Sequence, residues 1–161
     1  MGLFDKLFRK AVPEIGAPVA GKCVPLSEVN DPVFSQEILG PGVAIMPSEG
    51  KIVAPCDGTV DTMFETGHAV SLTSTFGAEI LIHVGLDTVN LKGAHYTVHA
   101  KNGDTVKKGD LLIEFDREAI AAEGYDTVTP VIVCNGADFA SLKTFPAESV
   151  LAGDRIITVE K

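Results

Sequence analysis

The sequence predicts an all-β protein: an antiparallel β-sandwich or flattened barrel with an internally duplicated motif and little helix. Three observations predict it. From residue 18 onward, short apolar runs alternate with Gly, Pro, Asn or Asp, the punctuation of strands and turns. Two motifs each occur twice. APVAGKCV (17–24) and APCDGTV (54–60) share A-P-x-x-G with a valine shortly after, and VKKGDLLIEF (106–115) and VLAGDRIITV (150–159) share V-x-x-G-D-x-[LI]-I-x-[FV]. Turn-and-strand units used twice imply pseudo-symmetry. Helical periodicity, finally, is sparse.

Taken in order, the chain opens with MGLFDKLFRK, where Leu3, Phe4, Leu7 and Phe8 share one helical face and Lys6, Arg9 and Lys10 fill the rest. Such a segment can lie weakly on an anionic membrane or pack loosely on its own domain. Residues 11 to 17 read as a linker around Pro13 and Gly16. The organisation is thus a segment over 1–16 and one domain over 17–161. Within it, strands are expected at 19–24, 43–46, 50–54, 58–64, 68–74, 79–84, 96–100, 111–115, 129–134 and 155–159. Gly-Asp at 109–110 and at 153–154 makes a tight turn into an alternating strand. One helical turn is expected near Pro32 to Ile38. A short helix is expected from Arg117 to Glu123, capped by Asp116 and ended by Gly124.

Composition excludes several classes. A length of 161 residues supports one domain with a substantial core. The formal net charge of -9 opposes a nucleic-acid partner, because phosphate contacts need a basic face, and suits a partner with a basic docking surface. Cys23, Cys56 and Cys134 form no CxxC pair, so they read as small apolar core residues in a reducing, cytoplasmic setting. No apolar run reaches the length of a membrane span. Neither GxxxxGK[ST] nor a GxGxxG strand-to-helix unit is present, and HExxH and GxSxG are missing too. No cofactor is therefore indicated.

The chemistry concentrates in histidines. In EILIHVGLDTVNLKG (79–93), an apolar strand delivers His83 to a break at Gly85, with Asp87 and Thr88 following. If 68–74 and 79–84 are antiparallel neighbours turning at Thr75 to Gly77, His68 in FETGHAVSL (64–72) lies near His83. A neutral imidazole nitrogen can attack phosphorus, bind zinc or move a proton, and which nitrogen is free depends on what the other one holds. The Gly85 carbonyl can fix one tautomer of His83, and the Thr66 hydroxyl can orient His68. A pair of imidazoles carries more weight than either alone. His95 and His99 read as structural or solvent-facing.

These stretches resemble a known family. FETGHAVSL followed by EILIHVGLDTVNLKG is similar to the active-site signature of the glucose-type IIA components of the bacterial phosphotransferase system, a group spanning glucose, N-acetylglucosamine and β-glucoside classes. PVFSQEILGPGVAIMPSEGKIVAPCDGTV (32–60), GDTVKKGDLLIEFD (103–116) and TPVIV (129–133) resemble its flanking segments, and MGLFDKL resembles the start of enteric-type members. The resemblance covers about residues 17 to 161. It implies an antiparallel β-sandwich of the duplicated hybrid motif type and a phosphoryl relay from the phosphocarrier HPr to a IIB domain, with regulatory binding of other proteins in some members. His83 matches the phosphorylated histidine, His68 its assisting neighbour, and Thr66 and Gly85 the residues that orient the two rings. Asp31 and Asp87 match acidic rim positions, with Phe34, Phe64, Val43 and Ile45 as the surrounding apolar, partner-binding patch. Departures are Val84 for a frequent phenylalanine, GPG (40–42) for Gly-Asp-Gly, and His95 and Tyr96 where Gly and Phe are common.

Two rival chemistries share the duplicated motif. Lipoyl and biotinyl carrier modules modify a lysine on a hairpin tip, but Lys51, Lys92 and Lys101 lack the expected flanking residues. Zinc peptidases with related β motifs use an HxH element, which is missing here. No resident metal is expected, although His68 and His83 can hold zinc jointly with a ligand from a partner.

Overall fold

The computed structural model describes residues 12–161. The amphipathic reading of residues 1–10 lies outside the described residues. Strands β1 (Glu14–Gly16), β2 (Gly21–Pro25), β3 (Gly42–Pro47), β4 (Lys51–Val53), β5 (Gly58–Met63), β6 (Ala69–Ser74) and β7 (Glu79–His83) make up the first half. They are followed by β8 (Tyr96–Val98), β9 (Thr105–Val106), β10 (Leu111–Phe115), β11 (Thr129–Val133), β12 (Ser141–Thr144), β13 (Ala147–Val150) and β14 (Arg155–Glu160). Two short helices interrupt them, α1 (Pro32–Ser35) and α2 (Arg117–Ala122). Each starts on an aspartate whose side chain accepts a hydrogen bond from the first turn: Asp31 from Val33 N at 3.0 Å and Asp116 from Ala119 N at 3.0 Å.

An eight-stranded antiparallel sheet runs β13-β2-β3-β11-β7-β6-β5-β9, and two three-stranded sheets run β1-β14-β12 and β4-β10-β8. The expected antiparallel β-sandwich is therefore present. Read from either edge to its central β11–β7 pair, the large sheet repeats the same parts: β13, β2, β3 and β11 from one side, β9, β5, β6 and β7 from the other. The repeated motifs are what lock each half. Ala17 N donates to Asp154 O at 2.7 Å and Gly153 N to Ala17 O at 2.8 Å, while Ala54 N donates to Asp110 O at 2.8 Å and Gly109 N to Ala54 O at 2.9 Å. At the junction Gly16 N donates to Pro55 O and Val53 N to Pro18 O, both at 2.8 Å. Each Ala-Pro segment is thus clamped to its own Gly-Asp turn and crosses to the other copy.

The main core lies between the sheets, where Ile80 and Ile82 of β7 meet Val70, Leu72, Leu112 and Ile157 at zero exposure. Burying each such side chain stabilises the fold by about 1.5–3 kcal/mol. A second apolar cluster forms on the other face of the large sheet. There Ala44 and Ile132 are covered by Leu26, Val29 and Phe34, with Leu81 packed alongside. Because strand side chains alternate in direction, His83 shares the face of Leu81 and points into the second cluster's neighbourhood, away from the main core.

The structure differs from the sequence reading at the ends. Residues 14–16, read as linker, form a strand paired with β14, and Ile15 is fully buried. Strands β12 and β13 carry no strand signal in the sequence, because they are short and mostly exposed, so no alternation marks them.

Candidate functional site

The β6–β7 hairpin builds the site. Its turn closes through Gly77 N to Ser74 O at 3.1 Å, with Gly77 at φ 89°. The register pairs Ala69 with His83, which leaves His68 one residue beyond that pair at the mouth of the hairpin. The two imidazole centroids stand 5.2 Å apart, with planes at 80°. Val84 N donates to His68 O at 2.6 Å, tying the two backbones directly above the pair.

Each ring has its Nδ1 engaged. His83 Nδ1 donates to the Gly85 carbonyl at 2.7 Å, so its Nε2 carries the lone pair. His68 Nδ1 lies 2.5 Å from the Thr66 hydroxyl. Phe34 packs against His83 with centroids 5.2 Å apart and planes tilted by 54°, and Phe64 meets His68 edge-on at 5.3 Å. Burial, reinforced by the neighbouring His83, pushes the His68 pKa down to about 4. His83 is also lowered, chiefly by burial, against the opposing pull of the Gly85 carbonyl, Asp31 and Asp87. Both rings are therefore neutral at neutral pH, the state in which an imidazole nitrogen is nucleophilic.

Gly85 has φ 92°, and a Cβ there would stand 2.5 Å from Thr88 Cγ2 and 3.0 Å from Asp126 O. Its amide donates to Val128 O at 3.0 Å, and the next amide, of Leu86, donates to Asp126 O at 3.0 Å. The carbonyl that holds His83 thus belongs to a chain segment fixed on both sides.

The remaining predicted site residues divide. Asp31 is half-buried at the start of α1, Asp87 is exposed in the left-handed region at φ 58°, and Phe64 is partly exposed. Phe34 is buried and supports the His83 ring from beneath. Val43 and Ile45 correct the reading: both have zero exposure, because β3 is covered by the main core on one face and the second cluster on the other. They cannot touch a partner. The exposed apolar residues of this region are Val33, Ile38, Leu39 and Val89, with Ile38 64% exposed and Val89 52% exposed. Val33 adjoins Phe34, Ile38 N donates back to Val33 O at 3.1 Å, and Val89 lies in the turn after Gly85. Their signal in the sequence was an apolar side chain in a one-turn helix or a short turn, where a polar one is the rule.

Other polar candidates lie elsewhere. His99 pairs with Glu114 at 2.7 Å and His95 pairs with Glu123. Cys23 and Cys56 are buried, and burial pushes their thiols up to about 11 and about 12. Cys134 is exposed rather than in the core. Among the described residues, no group of three or more His, Cys, Asp or Glu could hold a metal ion, and no helix is long and apolar enough to cross a membrane.

The family model for the phosphoenolpyruvate-dependent sugar phosphotransferase system, EIIA 1, matches residues 13–139. The chain is 42% identical to the PTS system glucose-specific EIIA component of Haemophilus influenzae, covering 100% of this chain and 99% of that protein. It is 44% identical to the glucose-specific EIIA component of Oceanobacillus iheyensis, covering 88% and 86%. A PTS system beta-glucoside-specific EIIBCA component of Halalkalibacterium halodurans is 47% identical over 92% of this chain, which spans only 23% of that longer protein. Among solved structures, the glucose permease IIA from Mycoplasma capricolum superposes with a TM-score of 0.85 at 32% identity, covering both chains fully.

Proposed function

The chain belongs to the EIIA 1 family of the phosphoenolpyruvate-dependent sugar phosphotransferase system, and from that premise we propose that His83 accepts a phosphoryl group from phospho-HPr and passes it to a IIB domain. The single observation that carries this reading is the facing pair of neutral imidazoles, each held at Nδ1, beside an exposed apolar surface.

The His83 Nε2 lone pair attacks phosphorus in line as the bond from phosphorus to the donor nitrogen breaks. The new P–N bond forms on Nε2 while the proton stays on Nδ1, hydrogen-bonded to the Gly85 carbonyl, so the ring gains positive character that the nearby Asp31 and Asp87 offset. With the Thr66 hydroxyl donating to Nδ1 of His68, the His68 proton sits on Nε2 and can donate to a phosphoryl oxygen. In the second half-reaction the P–N bond breaks toward the IIB acceptor and His83 Nε2 recovers its lone pair. Positioning and charge complementarity suffice, so no nucleotide, metal or other cofactor is required of this chain.

Val33, Ile38, Leu39, Phe64 and Val89 form the docking rim, excluding water from the labile P–N bond. Asp31 and Asp87 steer basic partner residues, and the same face serves any regulated protein. The exchange takes place in the cytoplasm. Nothing supports a lysine-carrier or zinc-peptidase role beside these residues.

The half-reactions separate the roles of the two rings. The His68→Gln variant is expected to accept phosphate from phospho-HPr near the normal rate and to deliver it to IIB at least about 10²-fold more slowly. Equal delivery by that variant contradicts the role given to His68.

A further inference from the structure

Resting on the reading of His83 as the nucleophile, we propose that Tyr96 is a positioning residue for it: its hydroxyl fixes the backbone node from which both imidazoles hang. The node is the Val84 peptide group. Its carbonyl accepts two hydroxyl donors, Tyr96 Oη at 2.7 Å and Thr88 Oγ1 at 2.7 Å. The amide of the same residue donates to the His68 carbonyl at 2.6 Å. One residue later comes the Gly85 carbonyl that holds His83 Nδ1. A rotation of the Val84 carbonyl therefore tilts the orienting carbonyl of one histidine and strains the backbone of the other.

Of the two donors, Thr88 is local, reaching back four residues from a fully buried position. Tyr96 is the long-range one. It comes from β8, in a different sheet, and its ring stacks on Phe115 with centroids 6.4 Å apart. The same side chain supports the His68 arm, since a Cβ added at Gly67, between Thr66 and His68, would stand 3.0 Å from Tyr96 Cβ. Tyr96 thus braces both arms: by its stem beneath Gly67 and by its hydroxyl beneath Val84. A carbonyl buried with two donors loses one of them if the hydroxyl is removed, and it regains freedom to turn.

The test is Tyr96→Phe, which keeps the ring stacking and the contact with Gly67 and removes only the oxygen. Single-turnover phosphorylation by phospho-HPr is expected to slow about fivefold at saturating donor, with the apparent KM for phospho-HPr unchanged. The ¹⁵N resonances of His83 in the unphosphorylated protein are expected to move toward mixed tautomers. The double variant Tyr96→Phe with Thr88→Ser, which keeps the second hydroxyl on a less constrained side chain, is expected to slow further. Unchanged rate and unchanged His83 resonances overturn the proposal. A lowered Tm without either change assigns Tyr96 to packing alone and also overturns it, as does a rise in KM at constant maximal rate. Wild-type protein that takes no phosphate on His83 defeats the functional reading instead, and the tautomer measurement still judges the brace.

Discussion

At the scale of single residues, the proposed function rests on how two imidazoles are held and kept neutral. Gly85 combines φ 92°, a conformation that L side chains rarely adopt, with a carbonyl 2.7 Å from His83 Nδ1. Gly85→Ala forces a methyl against Thr88 and Asp126, so it is expected to lower stability by about 1–3 kcal/mol and to reduce phosphate uptake; urea denaturation and single-turnover labelling check both. The pH dependence follows from the direction of the histidine shifts. His68 falls from 6.5 to about 4 on folding, and His83 falls too, so the unfolded chain binds more protons than the folded one between those values. Stability is then fully present above 6.5 and is lost as pH drops toward 4. The urea midpoint is expected to decrease between about pH 7 and about pH 5, and to decrease less in His68→Gln.

Among elements, the β6–β7 hairpin was legible, and of the proposed docking rim only Phe64 was. The hairpin could be read because Ile80 and Ile82 alternate with Leu81 and His83, and because a glycine turn sets the register that brings His68 to His83. The rim was misplaced onto Val43 and Ile45, since an exposed apolar patch has no period of its own and a strand buried on both faces looks like one. The other proposed members, Val33, Ile38, Leu39 and Val89, lie in α1, just after it, and in the turn after Gly85, where tertiary contacts decide exposure. Two substitutions separate the readings. Ile45→Ala is expected to cost about 2–5 kcal/mol of stability, read by urea denaturation, as for any fully buried large side chain. Ile38→Asp is expected to leave the Tm within a degree or two and to weaken phospho-HPr binding about tenfold or more, read by the KM of phosphate transfer. Weak effects of Ile38→Asp alongside strong binding effects of a stable Ile45 variant contradict the rim.

On the scale of the whole molecule, duplication built the scaffold and only one copy carries the site. Counting from the matching glycines Gly21 and Gly58 places Gly42 at the position of Ala69, and Ile132 at that of His83. Pro41 then corresponds to His68. The copies share their clamps and their strand order, so the duplicated motifs disclosed the architecture from sequence alone, whereas the site appears only where one half departs from the other. The rest of the surface contributes charge. With a net charge of -9, the proposed docking to a basic partner surface predicts association that slows by about tenfold or more as ionic strength rises from low to physiological, with the chemical step unaffected; stopped-flow transfer at several salt concentrations checks this. The account as a whole depends on His83 Nε2 forming the P–N bond, and one measurement addresses that directly. Wild type and His83→Ala are incubated with phosphoenolpyruvate, the phosphoenolpyruvate-dependent enzyme that phosphorylates HPr, and HPr, and bound phosphate is mapped by mass spectrometry of acid-labile label. The account predicts one phosphoryl group on His83 in wild type and none in the variant; label retained by His83→Ala, or mapped to any other residue in wild type, would contradict it.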